Sequence, residues 1–129
     1  MSLNTSDLVE IQQLLAKYTL AADLEPSEKM RELFTQDGNF KADALNVDLN
    51  GIDNIIGFFA ESRAASAGGV YHVNTNIAID GDDDSATSSS YVSIIQAGAE
   101  PKIIAFARYN DDLTKTTQGW RFKSREIIM

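Results

Sequence analysis

One histidine, His72, is the residue of this chain best suited to proton-transfer chemistry. Histidine is the only side-chain type whose ordinary pKa lies near neutrality, and a general base works best with a pKa near the working pH. His72 lies in the stretch 70–80, where residue types alternate as in a β-strand. A lone histidine in a strand is also commonly a polar residue that is satisfied within the sheet. The residues alone leave both interpretations open.

A single arginine, Arg108, is the candidate for binding an anionic group. It alternates with Phe106 and Ile104, so we expect it to share their face of a strand. A buried arginine needs an acidic partner or an anionic ligand. Arg108 could therefore hold a carboxylate or an enolate oxygen, or it could form a salt bridge to Asp23 or Glu126.

Four further residues are candidates for contacts with a substrate. Tyr18, on the first predicted helix, could donate a hydrogen bond to a substrate carbonyl, or it could be a core aromatic residue. Asn74 and Asn76 share the face of His72 by strand alternation. They could orient a substrate, or they could bind backbone or a neighbouring subunit. Phe58, on the apolar face of a later helix, is a candidate apolar contact.

The acidic stretch around residue 82 could suggest a metal site, because Asp80, Asp82 and Asp84 alternate. An EF-hand loop would need glycine at its sixth position and glutamate at its twelfth, but Ser85 and Tyr91 stand there. A solvated hairpin turn fits better. One histidine and no cysteine argue against zinc. Since there is also no phosphate loop or dinucleotide fingerprint, we expect neither a metal nor a cofactor.

Composition restricts the class of protein. The 129 residues, 43% hydrophobic and 23% charged, fit one globular domain spanning 1–129. A net charge of −8 would repel nucleic acid. No apolar run is long enough to span a membrane, and no leader pattern is visible. The absence of cysteine excludes thiol catalysis and favours a cytoplasmic setting. Arg121, Lys123 and Arg125 alternate, and we interpret them as one solvated face.

Periodicity predicts helices first and long strands afterwards. An apolar stripe indicates a helix that ends near Ala22 or Asp23, before Pro26. Ser27 is a good cap for a second helix over 28–34, and Asp37-Gly38 signals a turn. The remaining predicted elements are short strands at 39–42 and 44–49, a helix at 52–65, and strands at 70–80, 85–96, 102–113 and 119–128. This order indicates an α+β fold with helices on one face of a curved sheet.

Several segments in this order resemble one superfamily over essentially the whole chain. They are 18–23 (YTLAAD), 33–40 (LFTQDGNF), 51–59 (GIDNIIGFF), 72–76 (HVNTN), 107–111 (ARYND) and 119–122 (GWRF). The chain resembles the SnoaL-like families of the NTF2-like superfamily. The resemblance implies a cone-shaped α+β barrel, in which three N-terminal helices pack on a curved, mixed, mostly antiparallel sheet and enclose a pocket. It also implies a small-molecule ligand and a homodimer or larger homo-oligomer.

Within that superfamily the chain is most similar to the branch of scytalone dehydratase and hexachlorocyclohexane dehydrochlorinase. Those enzymes use an aspartate at the end of the first helix and a histidine on the first long strand, and Asp23 and His72 match these positions. The dehydrochlorinase also places an arginine in its cavity from a later strand, for which Arg108 is the candidate. Scytalone dehydratase uses a second histidine, which this chain lacks, so its mechanism does not transfer whole.

The leading hypothesis is a cofactor-independent lyase or isomerase, of dehydratase or dehydrochlorinase type, acting on a small apolar or polyketide-like molecule. His72 would abstract a carbon-bound proton, Asp23 would orient and charge-stabilise it, and Arg108 or Tyr18 would steady the developing anion or the leaving group. The alternative is a non-catalytic module that binds a small molecule or forms a homodimer through the outer face of the sheet. The serines 88 and 90, with the basic residues of the last strand, would make that outer face polar.

Overall fold

The first helix, α1 (Thr5–Asp23), ends at Asp23, the residue that was predicted to orient His72. The structure is a computed structural model and describes residues 2–66 and 68–129. A capping box begins the helix: the Asn4 side chain accepts from the Asp7 N–H at 2.8 Å, and the Asp7 carboxylate accepts from the Asn4 N–H at 3.2 Å. Of the predicted apolar stripe, Ile11, Leu14, Leu15 and Tyr18 are buried and Leu8 and Ala22 are half-buried, while Ala21 is buried beside them.

The predicted second α-helix is instead a short 3₁₀ helix, Ser27–Glu32. Pro26, not Ser27, occupies its N-cap position, and no side chain caps it. Phe34 does not belong to this helix, because it begins strand β1 (Phe34–Ala42). The reason is tertiary: the Phe122 N–H donates to the Leu33 carbonyl at 2.8 Å, which draws this part of the chain onto the sheet.

The Asp37-Gly38 signal marks an irregularity within β1 and not a turn that precedes it. The pairing of β1 with the last strand shifts between Phe34 and Asn39, so extra residues of β1 bulge out of register. A second 3₁₀ turn (Asp43–Leu45) then leads into β2 (Val47–Asn50). The two predicted short strands are therefore the end of β1 and β2.

The second half of the chain follows the prediction closely. It consists of α2 (Ile52–Ser66), β3 (Val70–Asp82), β4 (Ser85–Gln96), β5 (Lys102–Thr116) and β6 (Gly119–Ile128). The strand order is β2-β1-β6-β5-β4-β3, and every neighbouring pair is antiparallel except β1 with β6. The α+β class and the mixed, mostly antiparallel sheet are confirmed. The sheet is open, however, so the predicted barrel is corrected to a curved, open sheet.

Three irregularities in the long strands decide which side chains face the helices. In β3 the pairing shifts around Asn76, whose φ is 56°. In β5 it shifts around Ile104, because Ile94 pairs with Ala105 but Ile95 with Ile103. In β6 it shifts at Lys123. Each extra residue exchanges the two faces of the strand beyond it.

Two predictions about the outer face are wrong. Arg125 does not share a solvated face with Lys123, because the bulge at Lys123 turns it inward and it is fully buried. Ser88 and Ser90 are buried on the inner face as well. The outer face of the sheet instead exposes apolar side chains, namely Tyr71, Val73, Tyr91, Ile103, Ile104 and Phe106.

Candidate functional site

A cavity of about 290 Å³ lies where α1 ends, between α2 and the inner face of the sheet. Its floor is formed by buried side chains, among them Tyr18, Phe59 and Tyr109. Its mouth is bordered by exposed residues such as Leu45 and Ser62. The volume lies near the lower end of the range for small-molecule sites, so the cavity fits a compact ligand.

Asp23 and His72 meet at the wall of this cavity. The Asp23 Oδ1 lies 2.6 Å from the His72 Nδ1, and its Oδ2 accepts the backbone N–H of His72 at 2.9 Å. The Asp23 side chain is 5% exposed and the His72 side chain 24% exposed. The end of α1 and the beginning of β3 are therefore joined through both oxygens of one carboxylate.

This arrangement assigns different roles to the two nitrogens of the imidazole. The carboxylate is a hydrogen-bond acceptor, so the Nδ1 facing it carries the proton. The other nitrogen, Nε2, has no hydrogen-bond partner among residues 2–66 and 68–129. In its neutral form the ring then presents an unprotonated Nε2. Such a nitrogen can accept a proton, and the carboxylate can stabilise the cation that results.

Two tyrosines at the floor supply hydroxyl groups. Tyr18 and Tyr109 both line the cavity, and their rings meet edge to face with centroids 5.9 Å apart. Burial raises the pKa of Tyr109 and raises that of Tyr18 well above its ordinary value. Both hydroxyls therefore stay protonated at neutral pH and act as donors. Tyr18 was predicted from the sequence, whereas Tyr109 was missed.

An ion pair lies behind the tyrosines, with both side chains wholly inaccessible to solvent. The Arg125 Nε donates to the Asp111 Oδ1 at 2.9 Å, and the Ser88 hydroxyl donates to the Asp111 Oδ2 at 2.8 Å. The Arg125 guanidinium carbon lies 4.2 Å from the ring centre of Tyr18 and 3.5 Å from that of Tyr109. This pair fixes the two rings from behind by cation–π contact.

Arg108 does not lie in the cavity, which corrects the prediction for the anion-binding arginine. Arg108 shares a face with Phe106, as predicted, but that face points outward, and Arg108 is exposed opposite Tyr91. Ala107 and Tyr109 take the inner positions.

The other predicted contacts divide between the cavity and the sheet. Phe58 lines the cavity and its ring lies 5.5 Å from that of Phe40. Asn74 lies outside the cavity, and its Nδ2 donates to the Tyr91 carbonyl at 2.8 Å. Asn76 is exposed at the bulge of β3. Asn74 therefore binds backbone, which was the second of the two roles predicted for it.

The sequence that forms this fold and cavity matches a known protein family. The SnoaL-like domain family matches residues 4–126. The chain belongs to that family. An uncharacterised protein of Mycobacterium tuberculosis is 30% identical to this SnoaL-like chain in an alignment 126 residues long, which covers 93% of the chain and 83% of the relative.

Two solved structures support the same assignment. A Nostoc punctiforme protein of unknown function with a cystatin-like fold superposes with a TM-score of 0.88 and 25% identity, covering 98% of this chain and 93% of its own. A Novosphingobium aromaticivorans protein, provisionally named a scytalone dehydratase, superposes with a TM-score of 0.77 and 25% identity, covering 95% and 83%. The fold of this SnoaL-like chain is thus one that commonly holds small ligands.

Among the residues that the structure describes, no three or more His, Cys, Asp or Glu side chains are grouped so as to hold a metal ion. The carboxylates Asp80, Asp82 and Asp84 of the acidic hairpin form no such group. No helix in the described part of the chain is long and apolar enough to cross a membrane.

Proposed function

We propose that this SnoaL-like chain is a cofactor-independent lyase or isomerase that removes a carbon-bound proton from a small apolar carbonyl compound. The observation that carries the proposal is the 2.6 Å contact between Asp23 and the His72 Nδ1 at a cavity wall, which leaves Nε2 without a protein partner among the described residues. A base held in one tautomer beside an apolar cavity is the arrangement that such chemistry requires.

In the proposed reaction, the His72 Nε2 takes a proton from the carbon next to the substrate carbonyl. The electron pair of the C–H bond moves to the carbonyl oxygen and forms an enolate, while Asp23 stabilises the imidazolium. The protonated hydroxyls of Tyr18 and Tyr109 donate to the enolate oxygen. The enolate then collapses in one of two ways. It expels a leaving group, with its bonding electron pair, from the carbon β to the carbonyl, and the imidazolium of His72 returns the proton to that group. Alternatively, where a double bond is conjugated with the enolate, the far carbon of that system takes the proton back from His72.

The family and one structural relative support this class of reaction. Scytalone dehydratase is a lyase, and the N. aromaticivorans protein that provisionally bears its name covers 95% of this chain. The floor of the cavity, with Tyr109 and Phe59 beside Tyr18, offers both apolar surface and hydroxyl donors.

Proton abstraction can be tested before the natural substrate is identified. Bicyclic ketones such as 1-tetralone would be incubated with the protein in D₂O, and exchange of the carbon-bound proton would be followed by ¹H NMR. We expect exchange above the buffer rate in the wild type and a loss of about 10²–10⁴-fold in His72→Ala. Asn74→Ala, which changes a polar residue of the same strand outside the cavity, is the matched control.

Two outcomes would decide against catalysis. Equal exchange by the wild type and His72→Ala would refute the role of His72. Saturable binding of the ketone with no exchange in the wild type would favour the alternative, a ligand-binding module without turnover.

The outer face of the sheet supports a second proposal, that the protein forms a homodimer there. Tyr91 and Phe106 lie in ring contact at 5.5 Å, and Tyr71 and Val73 extend the exposed apolar surface onto β3. A contiguous exposed apolar surface commonly marks an interaction site. Sedimentation velocity would compare Phe106→Asp with Val9→Asp, since these residues are 57% and 52% exposed. A dimer lost only in the first variant would support this interface, and a wild-type monomer would contradict it.

A further inference from the structure

The cavity wall contains one arginine that the reaction above does not use. Arg63, on α2, is the only Lys or Arg among the described residues that line the cavity, and it is half-buried. Its Nη2 donates to the carbonyls of Ala21 and Ala22 at 2.5 and 2.9 Å. These two bonds hold the guanidinium against the last turn of α1, directly beside Asp23.

A structural role accounts for only part of this side chain. The last turn of α1 contains no basic residue of its own, so Arg63 supplies the positive charge that the carbonyl end of a helix favours. The two carbonyls use both N–H groups of Nη2. Nε and Nη1 have no hydrogen-bond partner among residues 2–66 and 68–129. Three N–H donors of a positioned cation are therefore available at the cavity wall.

Arg63 forms no ion pair in the described part of the chain. Asp23, the one Asp or Glu side chain among the described residues that line the cavity, has both oxygens bound to His72. A guanidinium that has no ion pair and has free donors favours an anionic group, and charge-assisted bonds to a carboxylate are the strong ones.

The position of Arg63 also indicates how such a ligand would lie. Ser62 and Ser66, on either side of it on α2, are exposed residues of the mouth, whereas Phe58 and Phe59 lie one turn earlier and line the apolar part. The wall thus changes from apolar to cationic along one helix. A ligand with an apolar ring and a carboxylate matches this order when its ring points inward.

We propose that Arg63 is a specificity-determining residue, which binds the carboxylate of a one- or two-ring carboxylic acid at the mouth of the cavity. This inference rests on the proposed function only in placing the ligand in the same cavity. It names the substrate class as an anionic ring compound, whose reacting carbon lies between the carboxylate at Arg63 and the base His72.

The test compares an acid with its neutral isostere. Binding of 2-naphthoate and 2-naphthamide would be measured by isothermal titration calorimetry. We expect the wild type to prefer 2-naphthoate. Arg63→Gln should weaken 2-naphthoate by about 10–100-fold, the range for a hydrogen bond to a charged group, and leave 2-naphthamide within about twofold. Arg63→Lys should restore part of the preference, because it restores the charge. The exposed Arg108→Gln is the matched control.

The outcomes separate binding from a merely structural role. Equal weakening of both ligands in Arg63→Gln, unchanged binding of 2-naphthoate, or no saturable binding of 2-naphthoate by the wild type would each overturn the inference. The same titrations in His72→Ala keep it independent of catalysis. A failed proton exchange would leave the acid preference intact, and a failed acid preference would leave the exchange intact.

Discussion

In the buried Asp111–Arg125 ion pair, removing Asp111 should lower the free energy of unfolding by a different amount from removing Arg125. Asp111→Val leaves the Arg125 guanidinium wholly buried without its carboxylate, and arginine cannot shed its proton in a protein. Breaking such a pair costs about 3–5 kcal/mol, a large part of the roughly 5–15 kcal/mol of a typical domain. We therefore expect Asp111→Val to be severely destabilised at every pH at which the protein folds.

Arg125→Met should cost less, and its cost should depend on pH. Burial already raises the pKa of Asp111, with Arg125 opposing that rise, so removing Arg125 raises the pKa further. A carboxyl whose folded pKa exceeds its unfolded pKa contributes stability that is fully present below the unfolded value. That stability is lost as the pH rises through the folded value. Arg125→Met should therefore be more stable near pH 4 than near pH 8.

The double variant, Asp111→Val with Arg125→Met, separates the pair from its members. Replacing a whole buried pair by apolar side chains is often neutral or stabilising, by up to about 4 kcal/mol. The lost contacts of Arg125 with the rings of Tyr18 and Tyr109 offset part of this gain, at about 0.5–2 kcal/mol each. We expect the double variant to lie within about 2 kcal/mol of the wild type.

Urea unfolding would measure these differences, with the single buried tryptophan, Trp120, as the fluorescent probe. At a slope of about 2 kcal/mol per molar, a loss of 4 kcal/mol lowers the midpoint by about 2 M. The expected asymmetry between Asp111 and Arg125 is refuted if the two single variants have equal midpoints at pH 4 and pH 8. It is also refuted if the double variant is less stable than both singles.

Three further predictions concern the site and its support. Tyr109→Phe removes a donor that burial keeps protonated, so ketone exchange should fall by about 10²–10³-fold with unchanged binding; equal rates would exclude Tyr109 as a donor. Asp23→Asn should abolish the Nδ1-protonated tautomer of His72, which ¹⁵N NMR assigns directly in a protein with one histidine; a wild type with its proton on Nε2 would contradict the geometry. The hydrogen bond from Trp120 lowers the pKa of Asp7, so Asp7 contributes stability above its ordinary value of 3.8 that is lost as the pH falls; Asp7→Asn should flatten the acid limb of a stability–pH curve, and an unchanged limb would refute this role.

The resemblance to the dehydratase branch paired Asp23 with His72, and no bulge lies between either residue and the local pattern that predicts its position. Asp23 is the last residue of a regular helix, whose length follows from its apolar stripe and from Pro26. His72 lies only two residues into β3, before the bulge at Asn76. The strand alternation that predicted its face had not yet been interrupted.

Arg108 and Arg125 were misplaced for different physical reasons. Arg108 shares a face with Phe106 and Ile104, as the alternation predicted, but this apolar face is the exposed outer one. Arg125 lies beyond the irregular pairing at Lys123, where one extra residue exchanges the two faces of the strand. Lys123 is not a glycine and has no positive φ, so residue type gives no local signal. The bulge arises from the register between strands, which is a tertiary property. The one alternative visible in the sequence was that Ala107, Tyr109 and Asp111 form the inner face of β5. That face is apolar at one end and polar at the other.

The length of α1 explains why the candidate site lies at this end of the sheet. The helix covers the polar inner layer of Asp111 and Arg125, which stays sealed beneath Tyr18. Beyond Asp23 the helix stops, and the inner face of the sheet at Val92 borders an open cavity instead. The Asp111–Arg125 and Asp23–His72 pairs therefore differ in their access to solvent. The pair at the helix end keeps one nitrogen free for a ligand, so a helix prolonged by one turn would bury the Asp23–His72 pair and remove the site.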